Sequence, residues 1–188
     1  MIIGLAGKKQ SGKSSVATYL IETHGFVDYS WAFPIKEIIG KQIFGLTDEQ
    51  MYGPESIKEK TLKEWGMSPR KILQLIGTDM FRRLIREDMW VYLGLKNITK
   101  LQAAGYNIVI PDCRFPNELK AVKDLGGEVG RVIRIGQESE DAHESETALD
   151  LYEDWDVEFS AVLGDLPGLY FQADCYLAEK IKEETDAI

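Results

Sequence analysis

A glycine-rich loop near the amino terminus constrains this chain more than any other feature. Residues 7–14 read Gly-Lys-Lys-Gln-Ser-Gly-Lys-Ser and match the pattern G-x-x-x-x-G-K-[ST] in full. The loop follows an apolar run at residues 2–6 and precedes a helical apolar pattern at residues 16–21. A buried strand, this loop and a helix in that order are the context in which the pattern folds as a phosphate-binding loop. We therefore expect an α/β fold in which the loop joins the first strand to the first helix.

The chemistry of such a loop is anion binding. Its glycines let backbone N–H groups turn toward phosphate oxygens, and the helix N-terminus adds partial positive charge. Lys13 is expected to reach the β- and γ-phosphates of a nucleoside triphosphate, and the Ser14 hydroxyl to ligate Mg²⁺. The residues predicted to bind the ATP phosphates are Gly7, Lys8, Gln10, Ser11, Gly12, Lys13, Ser14 and Ser15. The alternative is a glycine-rich turn before a helix, with no ligand.

Strand and helix patterns alternate along the rest of the chain. Apolar runs predict strands at residues 2–6, 26–29, 106–110, 129–135 and 157–163, and helices starting near residues 12, 34, 69, 88, 116 and 169. Residues 45–68 are polar and rich in turn residues, so we expect an irregular, mobile insertion there. The alternation implies a three-layer P-loop NTPase fold, with a parallel sheet flanked by helices. Ligands bind at the carboxyl ends of the strands in such sheets.

Composition narrows the class of partner. The 188 residues suggest one domain spanning residues 1–188, and the net charge of −9 disfavours a nucleic-acid polymer as a partner. Two cysteines, Cys113 and Cys175, lie far apart without metal-type spacing, which indicates free thiols in a reducing cytosol. The amino terminus lacks a signal-peptide pattern, and no apolar run is long enough to span a membrane. We therefore expect a cytoplasmic location and no membrane partner.

An acidic residue follows a buried strand in the middle of the chain. Asp112 comes directly after residues 108–111, at a position suited to holding Mg²⁺ beside Ser14. A turn aspartate that caps the next helix is the alternative. No glycine stands three residues after Asp112 and no N-K-x-D segment occurs, which disfavours a GTPase switch. Cys113 stands where a motor-type ATPase usually has a glutamate, which disfavours that class as well.

One short segment of the chain is basic although the protein as a whole is acidic. Arg82, Arg83 and Arg86 follow the sequence Gly-Thr-Asp at residues 77–79. On an α-helix, Arg82 and Arg86 would share a face, and Arg83 would lie beside Asp79. Planar guanidinium groups suit bidentate capture of a phosphate, so this segment is a candidate site for a second phosphate. The alternative is a set of solvated surface residues with acidic neighbours.

Three more arginines lie at or near predicted strand ends. Arg114 follows Asp112 by two residues, and Arg131 and Arg134 lie three apart on one strand. Residues three apart on a strand face different sides, so at most one of that pair would point to the site, and Arg134 is nearer the strand's end. Transfer between two phosphates needs such cations to offset charge repulsion, whereas an acceptor that is already anionic needs no general base.

Taken in chain order, these motifs resemble those of bacteriophage-type deoxynucleoside monophosphate kinases, a group within the nucleoside monophosphate kinase class of P-loop enzymes. The resemblance covers nearly the whole chain. It rests on Gly7–Ser14, Ala32-Phe33-Pro34-Ile35-Lys36, Leu73-Gln74-x-x-Gly77-Thr78-Asp79 with Trp90-Val91, Pro111-Asp112-x-Arg114 with Asn117-Glu118, and His143-x-Ser145-Glu146-Thr147. It implies transfer of the γ-phosphoryl group of ATP, with Mg²⁺, to a (deoxy)nucleoside 5′-monophosphate in nucleotide biosynthesis.

The resemblance also implies roles for individual residues. The implied catalytic residues are Lys13, Asp112, Arg114 and Arg134, with Ser14 and Asp112 at the metal. The implied acceptor-binding residues are Lys36, Gly77, Thr78, Asp79, Arg82, Arg83, Arg86 and Trp90, within an insertion at about residues 33–90. A lid at about residues 136–148 would include His143 and Glu146 and adjoin Arg131. The implied partners are ATP, a (deoxy)nucleoside monophosphate and, as in some related enzymes, a second copy of the chain; a phage-encoded protein would act in the host cytoplasm.

Several alternatives stay open at the level of sequence. Trp90 either stacks on an acceptor base or is a buried core residue. Residues 137–147 contain no arginine, so the cations that many lids supply would have to come from Arg114, Arg131, Arg134 or the 82–86 segment. The resemblance gives His143 no chemical role. The competing functions are a kinase of dephospho-coenzyme A or phosphomevalonate, and a binding module that uses ATP as a switch.

Overall fold

One parallel sheet organises the larger part of the chain. The computed structural model describes residues 1–136 and 143–186, and within them the strands are β1 (Ile2–Ala6), β2 (Val27–Asp28), β3 (Ile108–Ile110), β4 (Glu128–Arg134) and β5 (Val157–Ala161). They pair in the order β2-β3-β1-β4-β5, all in parallel. β1 is central, and all five of its residues are buried. The prediction of an α/β fold with a parallel sheet is confirmed, and the phosphate loop leaves a fully buried strand.

Helices cover both faces of this sheet. The helices around it are α1 (Lys13–His24), α6 (Pro116–Asp124), the short α7 (Glu144–Thr147) and α8 (Leu166–Asp186). Apolar residues of α1 and α8 form one core with Ile3 and Leu5 of β1. α6 lies on the opposite face, where a Cβ placed on Gly4 would be 2.9 Å from Cγ2 of Val122. Because successive residues of a strand face opposite sides, these contacts define the three layers that the sequence predicts.

The chain divides into two compact units. One consists of Met1–Tyr29 with Leu95–Ile188 and carries the sheet, and the other is Ser30–Gly94. The second unit contains a π-helix at Ile35–Ile43, α2 (Asp48–Tyr52), α3 (Glu55–Lys58), α4 (Pro69–Gln74), a second π-helix at Leu75–Ile85 and the start of α5 (Met89–Ala103). Leu46, Met51, Ile72 and Ile76 form a buried cluster within it. The single domain over residues 1–188 and the acceptor insertion at 33–90 stay predictions.

Residues 45–68 are more ordered than their sequence predicts. The Thr47 hydroxyl accepts a hydrogen bond from the Gln50 backbone N–H (3.3 Å), and the Gln50 side-chain oxygen accepts one from the Thr47 N–H (2.8 Å). This capping box starts α2, which buries Met51, and a backbone bridge pairs Leu62 with Met67. The prediction of an irregular segment is therefore wrong for α2 and α3, because a local cap and a buried methionine outweigh the turn-forming residues, and the predicted mobility stays a prediction.

Other helix ends follow their sequence signals. The Ser68 hydroxyl accepts a hydrogen bond from the Lys71 backbone N–H (3.3 Å), and Pro69 is the first residue of α4. A proline at this position and a serine cap before it are the predicted start. The longest helix, α8, has 21 residues and packs against the sheet. None of the helices in the described residues is both long and apolar enough to cross a bilayer.

Candidate active site

The phosphate loop takes its shape from backbone conformations that few residues adopt. Gly7 has a φ of 146° and Gly12 a φ of 104°, both in the left-handed region. A Cβ on Gly7 would lie 2.3 Å from the carbonyl oxygen of Val132, so no other residue fits there without a shift of the backbone. Gln10 has a φ of 61° although it carries a side chain, a conformation that costs about 1–2 kcal/mol. Such strain is concentrated at functional loops.

The side chains of the loop are arranged around its own carbonyl groups. The Lys13 ammonium donates to the carbonyl oxygens of Gly7 (2.5 Å) and Lys8 (2.7 Å). Ser11 is buried, and its hydroxyl has no hydrogen-bond partner among the described residues. A buried hydroxyl without a partner is costly unless a ligand or water satisfies it. The loop thus presents an ammonium group and a hydroxyl that has no partner among the described residues, and both are groups that can bind phosphate oxygens.

The residue types predicted at the metal suit Mg²⁺. Ser14 is exposed at the start of α1, and Asp112 is half-buried just past β3. The negative charge of Asp112 acts on its surroundings, since it adds to burial in raising the pKa of Tyr29. Mg²⁺ prefers oxygen ligands and keeps several waters. No cluster of three or more His, Cys, Asp or Glu residues in the described parts of the chain could hold a metal.

Two cavities adjoin the loop and share Ser11 and Arg134. The first, of about 260 Å³, lies between Gln10–Ser15 and the connection from β5 to α8 at residues 161–166. The second, of about 220 Å³, is lined by Gly7, Lys8, Arg114, Arg131, Glu146 and Trp155 among others. Both lie in the unit that carries the sheet, at the carboxyl ends of its strands, where α/β sheets bind ligands.

Arg131 and Arg134 both line the second cavity. Arg134 also lines the first, and its Nη1 donates to the Gln10 carbonyl oxygen at 3.5 Å. Arg131 lies 3.7 Å from the Glu158 carboxylate, and its guanidinium is 5.9 Å from the centre of the Trp155 ring. All four residues from Arg131 to Arg134 line this cavity, so the expectation that at most one of the two arginine side chains points to the site stays a prediction. Arg134 is the one in contact with the phosphate loop, as favoured from its position.

Arg114 lies in a network of acidic groups. Its Nη1 donates to the Ser145 carbonyl oxygen (3.2 Å) and forms a salt bridge with Glu146 Oε1. Burial by itself would lower the pKa of Arg114, but the charge and hydrogen bond of Glu146, with smaller contributions from Asp112 and Glu118, raise that pKa above its ordinary value. Arg114 is therefore a permanent cation next to Asp112 at the carboxyl end of the sheet.

The segment after the predicted lid contacts the phosphate loop directly. Lys8 Nζ donates to the Glu146 carbonyl oxygen (2.7 Å) and forms a salt bridge with Asp150. His143 caps α7, because its Nδ1 accepts from the Ser145 backbone N–H (3.2 Å). Residues 137–142 of the predicted lid lie outside the described residues. Of the three lid candidates, Arg131 and Glu146 line the second cavity, while His143 has a structural role as a cap.

The acceptor candidates lie in Ser30–Gly94, and several of them are buried. Gly77 is packed so closely that an added Cβ would lie 2.9 Å from Ile35 Cδ1. Its carbonyl oxygen accepts a hydrogen bond from the Trp90 indole N–H (2.9 Å), and the Trp90 ring packs against Phe81 with centroids 5.3 Å apart. Trp90 is 5% exposed and Thr78 is also buried. These contacts favour the core interpretation of Trp90 over stacking on a base.

The three arginines of this unit have different environments. Arg82 is buried, and Arg83 forms the predicted pair with Asp79 at 2.9 Å. The second π-helix ends at Ile85, and Arg86 beyond it has an extended backbone with a φ of −161°. Arg86 forms a salt bridge with Asp88 and lies 4.4 Å above the Tyr92 ring. The predicted common face of Arg82 and Arg86 is therefore wrong, because the helix does not continue to Arg86.

Two contacts were not predicted as functional from the sequence. Glu118 Oε2 accepts the backbone N–H groups of Arg114 (2.7 Å) and Phe115 (3.1 Å), which fixes the turn after β3. The sequence does contain a pattern that could have indicated this contact. Glu118 stands three residues after Phe115, which caps α6, and Pro116 lies between them. Asp150 pairs with Lys8 across most of the chain, and no local pattern could have indicated that contact. In the second unit, Lys36 lies 4.4 Å from the centre of the Tyr52 ring.

Comparison with known proteins identifies the family. A family model described as deoxynucleotide monophosphate kinase matches residues 42–158. The chain is 38% identical over 170 residues to a protein of Acanthamoeba polyphaga mimivirus named "Putative deoxynucleotide monophosphate kinase", and the match covers 84% of this chain and 86% of that protein. It is 33% identical over 103 residues to the deoxynucleoside-5′-monophosphate kinase of Escherichia phage T5, covering 53% of this chain and 36% of the phage protein.

Two further similarities are more limited. The deoxynucleotide monophosphate kinase of Enterobacteria phage T4 is 32% identical over 83 residues, which is 44% of this chain and 34% of the phage protein. The crystal structure of TT1252 from Thermus thermophilus covers 95% of this chain and 97% of that one, with a TM-score of 0.49 and 14% sequence identity. The family match and the mimivirus relative extend over most of the chain, and they agree with the motifs found above. The chain belongs to the deoxynucleotide monophosphate kinase family.

Proposed function

We propose that this protein transfers the γ-phosphoryl group of ATP to a deoxynucleoside 5′-monophosphate, with Mg²⁺, giving ADP and the deoxynucleoside diphosphate. Membership of the family supports the kinase class and the phosphorylation of a nucleotide monophosphate. The single observation that supports binding of the phosphoryl donor is the strained phosphate loop. It has an ammonium group and a hydroxyl without a partner among the described residues, and Arg114 and Arg134 lie beside it. The identity of ATP, the sugar preference and the roles of individual residues belong to the proposal.

The donor triphosphate would bind along residues 7–15. On binding, Lys13 would exchange the carbonyl oxygens of Gly7 and Lys8 for phosphate oxygens, which carry full negative charge. The cavity of about 260 Å³ beside the loop provides space for the donor base and sugar between Gln10 and Leu166. The bound ion would neutralise charge on the phosphates, and Ser14 and Asp112 would hold it.

Catalysis would depend on cations held in position. The acceptor is a phosphate monoester that is already anionic, so the reaction needs no general base from the protein. Repulsion between the two sets of phosphates has to be offset, and Lys13, Arg114 and Arg134 are the cations next to the loop that can do so. They replace the arginines that residues 137–147 lack.

The acceptor nucleotide would use residues of Ser30–Gly94. Lys36, Thr78, Asp79, Arg82, Arg83 and Arg86 are the polar candidates there. Among the arginines, Arg82 is the most constrained, being 6% exposed, whereas Arg83 and Arg86 pair with acidic neighbours on the surface. Trp90 supports the backbone at Gly77 through its indole N–H, so its contribution would be to shape the site.

The competing functions are less well supported. A kinase of dephospho-coenzyme A or phosphomevalonate, and a binding module that does not transfer phosphate, share the loop but not the family. The absence of a nucleic-acid partner and of a membrane partner, a homodimer and a cytoplasmic location all stay predictions.

A substrate panel tests the proposal. Each common ribo- and deoxyribonucleoside monophosphate is incubated with ATP, Mg²⁺ and the protein, and diphosphate products are quantified by chromatography. We expect one or more deoxynucleoside diphosphates, formed in equal amounts with ADP, and none from a Lys13→Ala control. ADP formed without any diphosphate would contradict the kinase proposal and favour the binding module. Transfer to ribonucleotides alone would contradict the deoxynucleotide acceptor.

A further inference from the structure

Glu146 lies between two parts of the site, Arg114 and the phosphate loop. Its side chain is 1% exposed, although it is a carboxylate at the carboxyl end of the sheet. Oε1 forms the salt bridge with Arg114, and Oε2 accepts the backbone N–H of Lys9 in the phosphate loop at 3.2 Å. A buried charge is stable only where it is paired and hydrogen-bonded, and these two contacts satisfy both of its oxygens.

The backbone around Glu146 is anchored to the same two elements. The Glu146 carbonyl oxygen accepts from Lys8 Nζ at 2.7 Å, and the adjacent Ser145 carbonyl oxygen accepts from Arg114 Nη1 at 3.2 Å. Arg114 and the first residues of the phosphate loop are thus each held twice by the segment at residues 145–146. The position of Arg114 relative to the phosphate loop therefore depends on residues 145–146.

The anchoring uses one nitrogen of the Arg114 guanidinium. Both contacts with residues 145–146 go through Nη1, and among the residues that the structure describes no other hydrogen bond of this side chain is seen. The side chain is 33% exposed and lines the cavity of about 220 Å³. A guanidinium group has five N–H donors in a planar fork, so the Nε and Nη2 edge stays free for two oxygens of a phosphate.

We propose that Glu146 is a positioning residue for phosphoryl transfer. It holds Arg114 by one nitrogen and fixes the Lys9 end of the phosphate loop, so that the free guanidinium edge and the loop keep one spacing throughout the reaction. This inference rests on the proposed kinase function. Glu146 acts on the reaction through Arg114 and not by contact with substrate. Its two carboxylate oxygens both accept hydrogen bonds, whereas the amide of a glutamine would place its N–H₂ group against the N–H of either Arg114 or Lys9.

The test compares Glu146→Gln with the wild type in single-turnover phosphoryl transfer, with enzyme in excess over ATP. We expect the transfer rate to fall about 10- to 100-fold, the range for losing a group that orients a reactive one, while the Kd of ATP changes less than about threefold. The matched control is Glu153→Gln, an exposed glutamate in the same unit, which should leave the rate unchanged. A Glu146→Gln rate equal to that of the wild type would overturn the proposal.

A double-mutant cycle separates positioning from simple stabilisation. In an Arg114→Lys background, Glu146→Gln should lower the transfer rate less than about threefold further, because both substitutions remove the same oriented fork. Equal effects in the two backgrounds would overturn the proposal, since Glu146 would then act independently of Arg114. Thermal unfolding is measured in parallel for every variant.

A conservative variant covers the case in which Glu146→Gln does not fold. Glu146→Asp keeps the charge but is one methylene shorter, and it should keep the fold and transfer phosphate more slowly than the wild type by about tenfold. Full activity of Glu146→Asp would contradict the required spacing. If the wild type itself transfers no phosphoryl group, the proposed function fails before this inference is tested, so the two failures are distinguishable.

Discussion

The phosphate loop and the candidate acceptor residues of Ser30–Gly94 are held in place by different means. The loop depends on its backbone, since Gly7 and Gly12 have left-handed conformations and Gly7 packs directly on the Val132 carbonyl. The acceptor candidates depend on side-chain packing, as in the hydrogen bond from the Trp90 indole to Gly77 and the burial of Arg82. A backbone-held site tolerates few residue types at fixed spacing, whereas a packed site can be built from many combinations.

This difference separates the effects of substitutions. In the loop, a side chain such as Lys13 can be removed without disturbing the core, so function should change more than stability. In Ser30–Gly94, the residues that we propose shape the acceptor site also fill the interior, so function and stability should change together. The following substitutions test that contrast, beginning with the largest expected effect.

Lys13→Ala should lower the turnover number at least about a hundredfold, because it removes the ammonium group that, in our proposal, stabilises charge on the transferring phosphate. The melting temperature should change little, since the Lys13 ammonium group donates to two carbonyl groups of the loop itself, those of Gly7 and Lys8. A coupled assay of ADP formation and thermal denaturation measure the two effects. Lys100→Ala, at an exposed position of α5, is the control. Turnover within tenfold of the wild type would show that the loop does not use this residue.

Trp90→Ala should lower the free energy of unfolding by about 3–5 kcal/mol, because it leaves a cavity among packed side chains. Trp90→Phe keeps much of the volume but leaves the Gly77 carbonyl without its donor, at a cost of about 1–3 kcal/mol. Denaturant unfolding measures both, and Trp65→Ala, at a site 40% exposed, should cost far less. If Trp90→Phe kept full stability and lost only acceptor affinity, the ring would be a ligand contact and the contrast between the two regions would fail.

Gly7→Ala should cost more than about 3 kcal/mol of stability or distort the loop, because the added Cβ would meet the Val132 carbonyl as well as an unfavourable φ. Gly126→Ala measures the part of this cost that comes from the unfavourable φ alone, since Gly126 has a φ of 74° and no atom within 4 Å of an added Cβ. We expect about 1–2 kcal/mol there. Equal losses in the two variants would mean that the contact with Val132 is unimportant.

Arg82→Ala should raise the Michaelis constant of the acceptor about tenfold, which is about 1.4 kcal/mol of binding, with a smaller effect on that of ATP. Arg82→Lys, which keeps the charge in a buried position, serves as the milder variant. Arg83→Ala removes an exposed pair with Asp79 and should change binding by less than about 0.5 kcal/mol. These constants are measured by steady-state kinetics with both substrates varied. An unchanged Michaelis constant for the acceptor in Arg82→Ala would show that Arg82 does not bind the acceptor.

The same contrast explains what could be predicted from the sequence. The loop, the parallel sheet and Asp112 after β3 were predictable, because each is encoded by neighbouring residues whose backbone geometry is restricted. Arg86 was misplaced, because an α-helical period was assumed where a π-helix ends one residue earlier. The order in residues 45–68 depends on burying Met51, which a polar composition does not indicate. The contacts of Glu146 and Asp150 with the loop join distant parts of the chain, so no local pattern could reveal them.

The contact between Gly7 and Val132 also has a consequence for how the protein is made. The loop is synthesised before β4, yet the carbonyl group that it packs against belongs to β4, more than a hundred residues further along the chain. β1 likewise pairs with strands that come much later in the chain, β3 from residue 108 and β4 from residue 128. Pairing between distant segments has to await the synthesis of both. On the ribosome, the nascent chain can therefore pack this loop only when β4 has emerged from the exit tunnel, and truncated products that end before β4 lack the carbonyl group against which Gly7 packs.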